Sequence, residues 1–222
     1  MKSPAQSTET PLRQLNQPRL REIPADRIAL PEPSFAGSAP IEYCLRNRRS
    51  ARDFSGDPLP LAQVSQLLWA ALGLTATGGL RTSPSAGSLY PVRGYLIAGN
   101  VTGLAPGVYS YDADFHALAL LAKGDKRGRL AKICAGQHCV AECSAAILLT
   151  AWYKRAIAEF GDSARALTAM EAGHIGQSFC LQATALGIGA IGVSKFYPTI
   201  LRMFLPVPRD EEPLYLLLAG KT

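Results

Sequence analysis

The sequence predicts an α+β protein: one principal domain behind an extended N-terminal arm. Three observations carry this. Helical and strand patterns are mixed without strict alternation, which argues against a doubly wound parallel sheet. The chain has 222 residues, 48% apolar and 18% charged, enough to bury a substantial core and to exclude disorder over the whole length. Seven of the sixteen prolines fall in residues 1–40, too many for a helix or a central strand. Residues 1–40 are therefore expected to form an extended arm, either ordered on a partner subunit or loose, and residues 41–222 the folded domain.

The elements follow in order. Ile41, Cys44 and Leu45 are spaced as one helical face, in a short helix that ends at Arg48-Arg49-Ser50. Pro60 opens a second helix, in which Val64, Leu67, Leu68, Ala71 and Leu72 form the apolar stripe and Gly73 the stop. Thr75 to Gly87 is rich in Gly, Ser, Thr and Pro and reads as a loop. Tyr95–Ala98 is a short strand. Gly107–Tyr111 and Ala117–Leu121 flank Asp112-Ala113-Asp114 as a hairpin. Lys126–Ile133 is a helix, and Ala145–Trp152 a strand buried on both faces. A long helix runs from Ser163 to about Leu186, capped by Asp162 or Ser163. Its Gly173 and Gly176 cost helix stability and predict a second helix packed close against it. Ile188–Ser194 is a strand, Tyr197–Phe204 a helix and Leu214–Leu218 a last buried strand.

Composition narrows the function. The net charge of +6 is concentrated: residues 1–52 hold nine basic and five acidic side chains, with Arg46, Arg48, Arg49 and Arg52 close together. A nucleic-acid surface needs a longer basic stripe, whereas this cluster suits one phosphate or is a solvated helix end. No apolar run is long enough to cross a membrane as a helix. Five cysteines and a polar Met1–Pro11 segment predict reduced thiols and a cytoplasmic location. The spacing of Cys134, Cys139 and Cys143 fits no zinc or iron–sulfur pattern, so buried thiols are expected and no metal site.

Gly187-Ile188-Gly189-Ala190-Ile191-Gly192 matches the dinucleotide fingerprint in letters only. It leaves a helix and enters a strand, so no helix N-terminus faces a pyrophosphate. No hydrolase elbow or phosphate loop occurs. His116, His138 and His174 have no evident nucleophile partner, and a packed, hydrogen-bonded role is expected for His174. No catalytic acid, base or nucleophile is assigned. Two runs stand out. Arg48-Arg49-Ser50-Ala51-Arg52 places three guanidinium groups and a hydroxyl within five residues, a means of holding phosphate. Pro84-Ser85-Ala86-Gly87-Ser88-Leu89-Tyr90-Pro91 combines hydroxyls, a glycine and an aromatic ring, which suits a flat polar ligand.

Together these runs resemble the FMN-dependent nitroreductase family, as do Glu171-Ala172-Gly173-His174-Ile175-Gly176-Gln177, Ala185-Leu186-Gly187-Ile188-Gly189 and the terminal Leu-Leu-Leu-Ala-Gly-Lys. The resemblance covers residues 41–222, and the form Pro-Ser-Ala-Gly-Ser-Leu-Tyr-Pro is similar to the thiazole/oxazole (azoline) oxidase branch. It implies a sandwich with a central, mostly antiparallel sheet flanked by helices, dimerising through long helices, with FMN bound between two copies. By similarity Arg48, Arg49 and Arg52 hold the phosphate and ribityl end, with Lys221 the one candidate in the C-terminal tail. Ser50 meets the ribityl or ring edge, and Gln137 the pyrimidine edge. Gly192, Val193 and Ser194 lie along the ring. Pro84, Ser85, Ala86, Gly87 and Ser88 reach it from the partner subunit. The implied activity is transfer of hydride or electrons between NAD(P)H and a small organic substrate. Azoline dehydrogenation and a non-catalytic flavin-binding subunit are the alternatives. Where azoline oxidases carry a Lys-Tyr pair, this chain has Glu159-Phe160-Gly161, and Phe160 exchanges no proton.

Overall fold

The computed structural model describes residues 24–76 and 78–222; the first half of the expected arm, residues 1–23, lies outside them. The strands are β1 (Arg27–Ala29), β2 (Leu59–Pro60), β3 (Val92–Ala98), β4 (Val101–Thr102), β5 (Gly107–Asp112), β6 (Ala117–Lys123), β7 (Ala145–Ala151), β8 (Gly189–Val193) and β9 (Glu212–Gly220). The α-helices are α1 (Ile41–Asn47), α2 (Leu61–Leu72), α3 (Arg127–Ile133), α4 (His138–Glu142), α5 (Lys154–Phe160), α6 (Ala164–Ala185) and α7 (Pro198–Phe204). Seven strands form one antiparallel sheet in the order β1-β6-β5-β3-β7-β9-β8, and β2 and β4 form a small parallel pair.

Side-chain alternation divides the sheet between two cores. On β7, Ala145, Ile147 and Leu149 face the core capped by α2 and α6, while Ala146 and Leu148 face the one that holds α3, α4 and α7. On β9, Leu217 and Ala219 take the first side, Leu216 and Leu218 the second. Every residue of β7 is buried, as its continuous apolar run predicts. Each buried leucine contributes about 1.5–3 kcal/mol by the area it removes from water. The hairpin is closed by Asp112, whose Oδ1 accepts the Asp114 N–H at 3.0 Å in the β5–β6 turn.

The structure differs from the sequence expectation in five places. The proline-rich arm contributes β1, which pairs with β6 of its own sheet, and Ser34 exchanges backbone hydrogen bonds with the Gln66 side chain on α2. The described part of the arm is therefore part of the domain. Two helices, α4 and α5, were absent from the expectation because each is under two turns and has too few apolar positions to show a period. No side chain caps α6: Ser163 has helical dihedrals (φ −73°, ψ −14°) because the chain arrives from a 3₁₀ turn continuing α5, so its hydroxyl makes no cap bond. Ile41 and Leu45 on α1 are exposed (54% and 57%), and only Cys44 of the expected face is buried. His174 is exposed on α6 rather than packed.

His116, for which the sequence shows no partner, is buried between the Ser65 hydroxyl (2.7 Å) and the Tyr111 hydroxyl (2.8 Å). Ser65 also donates to the Pro31 carbonyl. With Ser65 1% and His116 9% exposed, this buried pair ties the arm to the core, and Tyr111 is half-buried beside it. Burial holds the imidazole pKa below its ordinary value, so it stays neutral at physiological pH.

Candidate functional site

The Arg48–Arg52 run leaves α1 as extended chain and lies beside β8, the last strand of the sheet. Ser50 bridges Ala190 in parallel, and the Ala51 N–H donates to the Ala190 carbonyl at 3.0 Å. Gly189 makes this approach possible, since a Cβ there would stand 3.0 Å from that of Ala51. The C-terminal residues join the same region: the Ser55 N–H donates to the Lys221 carbonyl at 2.8 Å, and the Phe54 ring covers Gly220. Gln137 ties it to the far side, donating from Nε2 to the carbonyls of Cys134 (2.9 Å) and Lys195 (3.1 Å). Arg48, Arg49, Ser50, Arg52, Gln137, Gly192, Val193, Ser194 and Lys221 are thus gathered around one sheet edge.

The charge here is unbalanced. Among the described residues, none of Arg48, Arg49, Arg52 and Lys221 makes an ion pair. The nearby His138–Asp53 pair, at 3.8 Å, is open to solvent on both sides. Arg49 turns back on α1, donating to the carbonyls of Arg46 (3.0 Å) and Arg48 (2.8 Å), a common way to satisfy a helix C-terminus. Two residues have internal duties that the sequence does not reveal. The place a Gly192 side chain would take is filled by the Tyr215 hydroxyl, 2.0 Å from an added Cβ. The Gln137 amide N–H groups are engaged within the chain, which leaves its carbonyl oxygen to accept from a ligand.

The Pro84–Ser88 loop stands elsewhere, against the middle of α6. Ser85 donates to Glu171 and accepts the Tyr90 N–H at 3.0 Å, while Glu171 also accepts the Val92 N–H at 3.2 Å. Gly87, Ser88 and Tyr90 have left-handed φ of 58°, 51° and 48°; two of them carry side chains, a local strain that the Glu171 clamp offsets. The Phe160 ring packs on Gly87, 3.0 Å from where its Cβ would be. Pro84, Gly87 and Ser88 are exposed, whereas the Ser85 hydroxyl is engaged by Glu171 and the Tyr90 N–H. Glu171 is the member of this arrangement that sequence reasoning missed as a site residue. A lone acid on an otherwise small-residue, uncharged helix face was the available signal.

Glu171 is 3% exposed, and burial raises its pKa above the ordinary carboxylate range; Ser85, the Val92 N–H, Arg81 and His174 act in the opposite direction. A folded-state pKa above the unfolded one means the ionised form is disfavoured in the fold. Its contribution to stability is fully present below the unfolded pKa and falls away as pH rises through the folded value. Lowering the pH from 8 to 5 is expected to raise the melting temperature of the natural chain relative to Glu171→Gln, which carries no such proton. A difference that is flat or falls across the series would contradict this account of the clamp.

In the core behind the site, Cys134, Cys139 and Cys143 are buried thiols, as expected; burial pushes Cys134 up to about 11 and Cys143 to about 12, so both remain protonated.

The antiparallel sheet flanked by helices is a fold that known proteins share. The sequence profile of the nitroreductase family matches residues 45–221. The chain belongs to the nitroreductase family. A Methanocaldococcus jannaschii protein, named as a candidate nitroreductase, is 34% identical over 181 residues, spanning 82% of this chain and 90% of that one. A crystal structure of a candidate nitroreductase from Ralstonia eutropha superposes with a TM-score of 0.77 at 28% identity, covering 89% of this chain and 90% of that one. One from Anabaena variabilis gives a TM-score of 0.74 at 28% identity and covers 82% of this chain; the chain spans only 38% of that protein's length. This nitroreductase-family chain is accordingly an oxidoreductase of the flavin type. Among its described residues, no helix is long and apolar enough to cross a membrane.

Proposed function

We propose that this nitroreductase-family protein binds FMN and passes hydride or electrons between NAD(P)H and a small organic substrate. The observation that carries the reading is the unpaired cationic cluster of Arg48, Arg49, Arg52 and Lys221 beside β8. Guanidinium groups left without carboxylates, next to exposed hydroxyls at Ser50 and Ser194, fit a phosphate with a polyol tail. When bound, FMN supplies the two-electron chemistry that the side chains of the chain lack. Arg48, Arg49, Arg52 and Lys221 neutralise the phosphate, and Ser50 binds the ribityl end. Gln137 offers its carbonyl to the pyrimidine edge, and Gly192, Val193 and Ser194 orient the ring. No protein acid or base is assigned to the reaction.

The reading includes a homodimer. Arg48 lies near enough to Cys180 for its charge to act on that thiol, while the Pro84–Ser88 loop is clamped at Glu171. Nine helical residues between them amount to roughly 14 Å. One copy's loop therefore does not lie at its own arginine run, and the loop of a second copy would complete the site. The exposed face of α6 supports this: Met170 is 61% exposed and an added Cβ at Gly173 meets nothing. Gly176, by contrast, is explained within the chain, where Tyr215 lies 2.8 Å from its added Cβ. Free thiols at all five cysteines suit a cytoplasmic protein.

The test is anaerobic addition of NADH and NADPH in turn to the FMN-loaded protein. Bleaching of the visible flavin bands by either is the expected result. Oxidation of a thiazoline without nicotinamide would favour the azoline dehydrogenase reading instead. Retained flavin that no donor reduces would favour the non-catalytic one.

A further inference from the structure

A cavity of about 770 Å³ opens where β3 begins and β5 ends. It lies three strands from β8 in the sheet order, roughly 14 Å at the usual strand spacing, and so is separate from the arginine run. Its volume falls in the range of small-molecule sites. Three arginines line it, and two are already matched: Arg27 donates to Asp112 at 2.6 Å and Arg93 to Glu211 at 2.7 Å. Arg81 is not. It forms no ion pair and no side-chain hydrogen bond among the described residues, and its only partner is the Tyr90 ring, 5.1 Å from the guanidinium carbon.

Among the described residues, three buried side-chain polar atoms have no hydrogen-bond partner, and two belong to this lining: the Nε atoms of Arg27 and Arg81. The Arg81 charge acts on the buried Glu171 carboxyl, but its Nε has no acceptor, and an anion in the cavity would offset part of the remaining desolvation cost. Beside the carboxylates of Asp112, which is paired with Arg27, and of Asp114, the wall presents an apolar surface of Leu72, Leu121 and Val207. A bare inorganic ion would leave that surface uncovered; an anion with an apolar body covers it.

We propose that this cavity binds a small organic carboxylate, recognised by Arg81 through its guanidinium fork and held by the apolar wall. The site lies beside the clamped loop, since the Arg81 N–H donates to the Tyr90 hydroxyl at 3.3 Å. It does not depend on flavin.

The test is calorimetric titration of the full-length protein with benzoate, benzamide and inorganic phosphate, each on the natural chain, Arg81→Met and Arg49→Ala. Benzoate is expected to bind at one site per protomer, about tenfold or more weaker in Arg81→Met and unchanged in Arg49→Ala, with benzamide and phosphate much weaker. Trp152 emission should respond, because Arg93 of the cavity wall stacks on its ring at 4.8 Å. Should Arg81→Met fail to fold, Asp114→Asn removes a negative charge from the rim and is expected to tighten benzoate two- to fivefold. Absence of saturable benzoate binding, equal binding in Arg81→Met, equal binding of phosphate, or no tightening in Asp114→Asn would each overturn the proposal. Loss in Arg49→Ala alone would place the benzoate at the flavin region and also refute it, without touching the flavin reading.

Discussion

Arg49→Ala is expected to bind FMN at least tenfold more weakly than the natural chain while melting within a few degrees of it. The two halves have separate physical causes. A charge-assisted bond from a guanidinium to phosphate is worth about 1.5–3 kcal/mol, equivalent to roughly ten- to hundredfold in affinity. In the fold, the same side chain is exposed and donates only to two carbonyls at the end of α1, a seven-residue helix. Losing those bonds costs no more than about 1 kcal/mol. A solvated helix end predicts the same small stability change but leaves FMN affinity untouched. Equilibrium dialysis against FMN, with a thermal melt of the same samples, distinguishes them.

Glu211→Ala is expected to be the most damaging single change outside the site, costing about 3–5 kcal/mol. Glu211 is fully buried and accepts three bonds: from Arg93 (2.7 Å), from the Tyr95 hydroxyl (2.8 Å) and from Thr150. Arg93 is 47% exposed and recovers water when released, so most of the cost falls on the two core hydroxyls left without an acceptor. Burial, with Glu211 second, holds the Tyr95 hydroxyl far above its ordinary pKa; it is therefore a permanent donor that needs this carboxylate. At about 2–4 °C per kcal/mol for a chain of this size, the melting temperature falls by roughly 10 °C. Glu211→Gln, which keeps one acceptor, should lose about half as much. A fall under 3 °C for the alanine variant would show that the network is not what joins β3, β7 and the start of β9.

The sequence was informative where physics is local. Continuous apolar runs marked β7 and β9, and the i, i+3, i+4 spacing of Val64, Leu67, Leu68, Ala71 and Leu72 marked α2, whose stripe is buried as expected. Burial of Cys134, Cys139 and Cys143 followed from their chemistry. What stayed hidden depends on pairings across the chain. Arg27–Ala29 becomes a strand only because β6 presents an edge to it. The Glu171–Ser85 clamp joins residues 86 positions apart. Glu211 lies in a short acidic run flanked by prolines that no local pattern marks as structural, yet it organises the core between β3 and β7. The candidate site divided in the same way. The arginine run and β8 come together through backbone pairing in one chain, whereas the Pro84–Ser88 loop is held at a distance by a carboxylate that no local pattern announces.

The most direct test of the central claim is a titration of the purified, flavin-stripped protein with FMN, followed by flavin fluorescence and by the visible spectrum after gel filtration. The account predicts saturable binding at one FMN per protomer, with flavin bands that travel with a dimer-sized peak. A colourless protein peak that takes up no FMN would contradict it.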